Sequence, residues 1–588
     1  MRATAKLEDG LRVERIDDIP VIIKSLQKIR MGELIDLTIK PHKNWKGLSL
    51  GSLAEIWMSY VISEGDHRLN HLEEWVMEKQ LLFEALYEQE LKRTDFTDDR
   101  LGLLLDYFDL DHNWTEIESG INKRLLRVYK LYDKSAEMSC IRLDATIGQG
   151  HRTPKEGGLF QFGASKHFNS ALPQFKTMMS TLDCEINGFA YPLASITVSG
   201  NTADDLLYLP ILEQSKKSLD CTESLLVVGD KKLGSKGNRA QITKTGDYYL
   251  SPLSEIQFPR TRLKKMVEEN ESKIKNVILN DTQAGKGFEY KEQMSVLLEN
   301  DGKPEVVEWM ERRIVFQSEG HAKSEIAGFD RKLEKTTTKL NELLNSKQGK
   351  KRPKTQEEIE KTVTQILTET KMESFISVEI SKKIEMKKIR GYQGKPERTE
   401  KKEIFELSIE LDEQEIEKHK SNCGWCVYAT NAPIKKMNLK DVIIMYRGQF
   451  QIESRFNDLK NKVTKLMPIY LQKQERVKSL INLMMIGLKA ICAIEITAAR
   501  QLKKADKELK GIYAGNPQRG SKKPTAKMML KRFKGISISI FMEKGNPKFI
   551  GLSTLNNVQL EILKLLGFKE DIYNELIQKM KFKFSLQI

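Results

Sequence analysis

The chain has 588 residues, with 97 Lys and Arg against 82 Asp and Glu, a net charge of +15 and a pI near 9.1. That length holds about three or four domains, and the charge favours a polyanionic partner. Six cysteines are too few for a disulfide scaffold, and the opening Met1-Arg-Ala-Thr-Ala-Lys6 lacks the apolar core of a signal peptide, so the expected setting is cytoplasmic and reducing, beside the nucleoid in a prokaryote.

Residues 1–130 read as a helical domain for DNA-end binding or assembly. Ser52-x-x-Glu55 has the pattern of a capping box ahead of Leu53, Ile56, Trp57, Tyr60 and Val61, and a further helix is expected over 69–91. From 131 to 255 the pattern changes to strands. Met138-Ser-Cys-Ile-Arg-Leu-Asp144 closes on one aspartate and Ser224-Leu-Leu-Val-Val-Gly-Asp230 on another, and the unbroken apolar run 225–228 predicts a strand buried on both faces. Segments 176–183 and 188–199 alternate around the turn signal Asn187-Gly188, which predicts a hairpin. Thr202-x-x-Asp205 predicts a cap for the next helix, and one more strand is expected at 247–251. Asp183, Asp204 and Asp205 read as turn and helix-start residues, where acidic groups complement the helix dipole.

Residues 256–435 exceed what such a core needs and read as an insertion domain, part β and part helical. Ile326, Phe329, Leu333, Leu340 and Leu343 mark one helix, Ile359, Val363 and Ile366 mark its return, and the connecting tip 346–354 is basic. Strand-like runs occupy 305–317, 375–388, 404–411 and 424–429. Cys423-Gly-Trp-Cys426, with His419 upstream, invites a zinc reading, but a structural zinc needs four closed ligands and this is a single cysteine pair.

In 436–500, Tyr446, Gln449, Glu453 and Lys460 fall on a helical strip roughly 60° wide at ~100° per residue, beside an apolar stripe of Ile452, Phe456, Leu459, Val463 and Leu466. The following run 480–497 is apolar enough to resemble a membrane span, yet it carries Lys489 and Glu495 and reads as a buried helix, with no membrane partner. In the region 501–588, the stretch 503–534 sets eleven Lys and Arg against Asp506 and Glu508, which suits loops following a phosphate backbone, and 552–588 has the spacing of a helix for dimerisation or packing.

Two strand-end aspartates and one helical glutamate make a site that needs a cation, because clustered carboxylates repel unless divalent ions neutralise them. Oxygen-only ligands favour magnesium or manganese over zinc. Two such ions ~3.5–4 Å apart activate water or a 3′-hydroxyl and stabilise the leaving oxygen of an in-line phosphodiester displacement.

The run Tyr446-Arg-Gly-Gln449-Phe-Gln-Ile-Glu453-Ser-Arg-Phe-Asn-Asp-Leu-Lys460 resembles the Tyr-x2-Arg-x3-Glu-x6-Lys signature of DDE insertion-sequence transposases, within the ribonuclease H-like superfamily. Gln449 stands where that family has arginine. The resemblance extends in order through Asp144-Ala-Thr146, Phe162-Gly-Ala-Ser-Lys166, Gly200-Asn201 with Asp204, Val227-Val-Gly-Asp230, and Met467-Pro-Ile-Tyr470. It implies an α/β fold, a ribonuclease H-like mixed sheet flanked by helices, with a helical N-terminal domain and a large mixed α+β insertion. It implies that Asp144, Asp230 and Glu453 hold two Mg2+ (or Mn2+) ions, and that Tyr446 and Lys460 contact a DNA phosphate near the transposon end. Gln449 keeps a hydrogen bond for that phosphate but no charge and no bidentate fork. Trp425 lies where the family places an aromatic that stacks on a flipped base.

The activity implied is metal-dependent DNA cleavage and strand transfer at the ends of a mobile element. The partners implied are double-stranded DNA, as terminal inverted repeats and target, and a second copy of the chain in a homodimer on paired ends. Two other readings stay open: a transposase-derived DNA-binding protein without catalysis, and a ribonuclease H-like DNA nuclease that hydrolyses without joining.

Overall fold

The computed structural model describes residues 9–132, 138–164, 171–184, 188–220, 223–280, 283–300, 303–345, 353–389, 398–544, 546–569 and 572–585. Asn187, Ser165 and Lys166 of the Phe162 motif, and 346–352 of the basic tip lie outside the described residues. In chain order the strands are β1 (Gly10–Arg15), β2 (Ser139–Gln149), β3 (Gln174–Asp183), β4 (Ala190–Ser199), β5 (Leu225–Val228), β6 (Tyr248–Pro252), β7 (Lys275–Asn280), β8 (Gln283–Asn300), β9 (Lys303–Ser318), β10 (Ile376–Ile389), β11 (Arg398–Leu411), β12 (Trp425–Thr430), β13 (Ser537–Glu543) and β14 (Asn546–Leu552).

The chain folds as two compact units, the first made of Met1–Ser251, Met294–Trp309 and Met445–Ile588. Its main sheet has the order β4-β3-β2-β5-β6. β2, β3 and β4 form an antiparallel meander, and β5 and β6 then join parallel to β2. Parallel neighbours need crossover connections, which the helices Tyr208–Leu219 and Lys236–Lys244 supply. This is the ribonuclease H-like mixed sheet expected from the resemblance. β5 is buried at every position, as its unbroken apolar run implies.

The 32-residue helix Gln474–Ala505 packs on β4 and on the N-terminal helices, buried over nearly all of its apolar stretch. The two charges within that apolar stretch are paired inside the fold. Lys489 Nζ donates to Glu118 Oε1 at 2.9 Å, and Glu495 accepts from Arg455 at 2.9 Å.

Several local expectations are corrected. The N-terminal region is not wholly helical: β1 pairs with β13, so the two ends of the chain share the three-stranded sheet β1-β13-β14. Such pairing spans more than 500 residues and leaves no local trace beyond a short alternation. The helix Leu50–Glu64 is capped by Ser49, whose hydroxyl accepts from Ser52 N at 3.1 Å, and Glu55 is not a capping partner. Glu55 is buried instead, accepting from Gly32 N at 2.8 Å and the Tyr87 hydroxyl at 3.0 Å. The helix expected over 69–91 breaks into Leu69–Met77 and Gln80–Tyr87. Ala203, without a side-chain cap, precedes the 3-10 turn Asp204–Leu207, so Thr202 does not cap.

The second unit comprises Pro252–Gln293 and Met310–Ile444. It holds β12, β7 and the parts of β9 and β8 outside 294–309, in the order β12-β9-β8-β7, and the separate hairpin β10-β11. The helices Glu319–Asn341 and Gln356–Thr370 form the antiparallel pair that the heptad-like spacing predicts, sharing a core of Phe329, Leu340, Ile359, Val363 and Leu367.

Candidate active site

β2 and β5 run parallel with Arg142 opposite Val228, and β5 stops there while β2 continues to Gln149. The paired register ends there: Asp144 and Asp230 each lie two residues beyond it, Asp144 still within β2 and Asp230 in the loop after β5, and the charges of both act on the Tyr208 hydroxyl. Asp144 is therefore not the strand end that its sequence run suggested. β2 stays paired with β3 as far as Gln149, and Asp144 reaches the rim only because its parallel neighbour is shorter.

Asp230 Oδ1 accepts from the Tyr208 hydroxyl at 2.5 Å and from Lys232 N at 2.8 Å. Tyr208 is 1% exposed. Burial first, then the charge and hydrogen bond of Asp230, then the charges of Asp144 and Asp204, raise its phenol above the ordinary value. One hydroxyl thus senses both aspartates of the rim. Asp144 Oδ1 accepts from Ala145 N at 2.8 Å. Asp204 pairs with Lys176 at 2.5 Å, and Asp183 with Arg142, so neither is a simple turn residue.

The signature segment is not one uniform helix. It runs as Leu439–Arg447, then Phe450–Asn457, then a π turn at Asp458–Lys462. At the first junction the backbone tightens to three-residue steps, Gly448 N to Met445 O at 3.2 Å and Gln449 N to Tyr446 O at 3.0 Å. At the far end it widens to five, Val463 N to Asp458 O at 2.9 Å. A 100° projection cannot survive both changes of pitch, and the polar strip divides.

Gln449 and Lys460 turn inward onto β2. Gln449 is 9% exposed and its Nε2 donates to Leu143 O at 3.1 Å. Lys460 Nζ donates to Thr146 Oγ1 at 2.8 Å and Ile147 O at 2.9 Å, and burial lowers its pKa. The physical reason is backbone accounting: beyond Val228 the free edge of β2 carries carbonyls that need donors, and these two side chains provide them. Their partners bracket Asp144 in the strand, just as they themselves bracket Glu453 in the helix. Arg455 adds a third anchor, donating to Ala190 O at 3.0 Å and pairing with Glu495 and Asp458. Glu453 is left exposed in the first turn of Phe450–Asn457, and Tyr446 is half-buried.

Arg142 sets the junction itself. It is 2% exposed, grips Asp183 through Nε at 2.8 Å and Nη2 at 2.6 Å, and donates from Nη1 to Met445 O at 2.8 Å. A Cβ on Gly448 would stand 2.3 Å from Arg142 Nη2, so only glycine lets the turn approach the guanidinium this closely. Arg142 and Asp144 are two apart in one strand and share its face, so Asp144 looks toward the Glu453 helix.

Among the described residues no three His, Cys, Asp or Glu side chains group closely enough to hold one ion. Asp144 and Asp230 both act on the Tyr208 hydroxyl, while no three-carboxylate cluster that includes Glu453 forms among the described residues. Mutual repulsion of carboxylates favours that open arrangement. The donor chemistry still fits a hard divalent cation: oxygen ligands only, at a rim where a phenol and a backbone amide already orient one of them.

Trp425 belongs to the second unit, half-exposed in β12 opposite Gln317, with Lys286 Nζ 6.0 Å from its ring centroid. His419 stacks among aromatics, 4.4 Å from Phe329 and 5.2 Å from Phe375 between ring centroids. Most of the Lys and Arg in 503–534 are exposed.

Sequence reasoning missed Arg142, Tyr208 and Arg455. A charged residue inside the otherwise apolar Cys-Ile-Arg-Leu run was a usable signal, because a buried arginine demands a partner. Tyr208 carried no local signal. A family model described as a transposase DDE domain matches residues 137–488, more than half of the chain. A search of curated proteins finds no matching relative.

Proposed function

The chain belongs to the DDE transposase family, and on that premise we propose that it cleaves DNA at the ends of its own mobile element and joins the freed 3′ ends to target DNA, as a homodimer on paired ends. The observation that supports this reading is that Asp144 and Asp230, each two residues beyond the last β2–β5 register pair, both act on the Tyr208 hydroxyl, beside a Glu453 helix pinned to β2 on both sides of Asp144. Asp144, Asp230 and Glu453 would hold two Mg2+ (or Mn2+) ions, which supply Lewis-acid activation of the attacking water or 3′-hydroxyl and stabilise the leaving oxygen.

The chain's own residues do the rest. Gln449, Lys460 and Arg455 hold the glutamate helix in place, and Arg142 holds the turn before it. Tyr446 offers a phenol to a phosphate, Trp425 a ring to an unstacked base, and the exposed bases of 503–534 neutralise backbone charge.

The test is nicking and joining of labelled terminal-repeat DNA in Mg2+ by the full chain. Asp144→Ala, Asp230→Ala and Glu453→Ala should each abolish nicking while leaving end binding in EDTA intact. The open position of Glu453 and the Gln449 departure favour a second reading, a DNA-binding descendant without catalysis. A wild-type chain that binds the terminal repeat yet neither nicks nor joins it, with Glu453→Gln behaving identically, would establish that reading, and nicking without any joining would establish a nuclease.

A further inference from the structure

Tyr208 reaches Asp230 from the far side of the sheet. It opens the helix Tyr208–Leu219, in which Ser215 Oγ bonds Ser180 Oγ of β3 at 2.7 Å. Ser180 lies opposite Leu143 in the β2–β3 register, so this helix covers the face of β2 that Asp144 does not use. The reach is made past the end of β5, since β5 ends at Val228 and Asp230 lies two residues beyond it. The phenol is 1% exposed, and its 2.5 Å bond goes to the same oxygen that accepts Lys232 N at 2.8 Å. Two donors on one oxygen, one of them main chain, define the plane of the carboxylate. Asp144 and Asp204 surround the same hydroxyl closely enough to act on it electrostatically.

We propose that Tyr208 is the positioning residue of the metal site, locking the Asp230 carboxylate from behind so that it presents to a divalent ion in company with Asp144. This rests on the reading of Asp144 and Asp230 as metal ligands. A phenol suits the role because it is a neutral donor on a rigid ring anchored in the core. It orients the carboxylate without bringing a positive charge that would compete with the ion.

The experiment measures Mn2+ binding to the full chain by electron paramagnetic resonance, together with the Mg2+ concentration for half-maximal nicking, for wild type, Tyr208→Phe and Asp230→Asn. Tyr208→Phe should weaken Mn2+ binding by about 10–100-fold and raise the Mg2+ requirement by a similar factor, with end binding in EDTA unchanged. Asp230→Asn should lose the ion altogether. If Asp230→Asn loses the ion and Tyr208→Phe binds it like wild type, the assignment of Tyr208 is overturned and the metal site stands. If Asp230→Asn also binds like wild type, the metal-site reading falls and Tyr208 falls with it. Should Tyr208→Phe fold poorly, 3-fluorotyrosine placed at 208 keeps the shape. Its 19F resonance should move on Mg2+ addition in the wild-type background and stay still with Asp230→Asn, and no movement in either overturns the proposal.

Discussion

Replacing Lys489 by Met removes the ammonium from the most completely buried ion pair among the described residues of the first unit. Lys489 and Glu118 have 0% and 1% of their side chains exposed. The ammonium donates to Glu118 Oε1 at 2.9 Å, Asn122 Oδ1 at 3.0 Å and Leu193 O at 3.0 Å, tying the helices Asp111–Tyr129 and Gln474–Ala505 to β4. Breaking one side of such a pair costs about 3–5 kcal/mol, because the remaining charge is left uncompensated in the core. Burial already raises the Glu118 pKa and Lys489 opposes that rise, so in the variant the carboxyl should rise further. The sign follows from linkage: a carboxyl whose folded pKa lies above its unfolded value loses stability as pH rises between the two, so the deficit should be smaller at pH 5.5 than at pH 8. Changing both residues, as Lys489→Met with Glu118→Leu, leaves no stranded charge and should recover most of the loss. Urea unfolding gives the energies, and amide exchange across Gln474–Ala505 localises them. Strict additivity of the two single losses in the double variant would refute the argument that the pair is mutually dependent.

Glu55 should make the fold less stable as pH rises, since burial lifts its pKa from 4.5 to about 7. That shift corresponds to about 3 kcal/mol lost between those pH values, and Glu55→Gln should flatten the slope of Tm against pH; an unaltered slope would remove Glu55 as its cause. Gly448→Ala must push aside the Arg142 guanidinium, losing a charge-assisted bond of about 1.5–3 kcal/mol, and should slow nicking far more than it weakens end binding. Equal nicking rates would show that the turn does not position Glu453. Replacing Lys503, Lys504, Lys507 and Lys510 together by Ser should lower the slope of log affinity against log salt by up to about 4, at roughly 0.9 per phosphate contact, and an unchanged slope would place the DNA backbone elsewhere.

The sheet was legible because its signals are local. An unbroken apolar run announces a strand covered on both faces, and β5 is buried throughout. Alternation on either side of a turn announces the β3–β4 hairpin. The glutamate helix was legible as a helix but not as a surface, since its projection assumes a constant pitch. The three-residue steps at Gly448 and the five-residue step at Asp458 redistribute which side chains look inward. What determines those departures lies elsewhere in the chain: a guanidinium from β2 under Gly448, and free carbonyls at Leu143 and Ile147 that draw in Gln449 and Lys460. Polar residues that look like a ligand-facing strip are spent on satisfying a strand edge whose existence depends on β5 being four residues long. The signature residues therefore divide by a rule that can be applied to any variant of this segment. Those opposite a free edge carbonyl of β2 serve the fold, and Glu453, which has no such carbonyl to answer, is the one whose replacement should cost catalysis without costing stability.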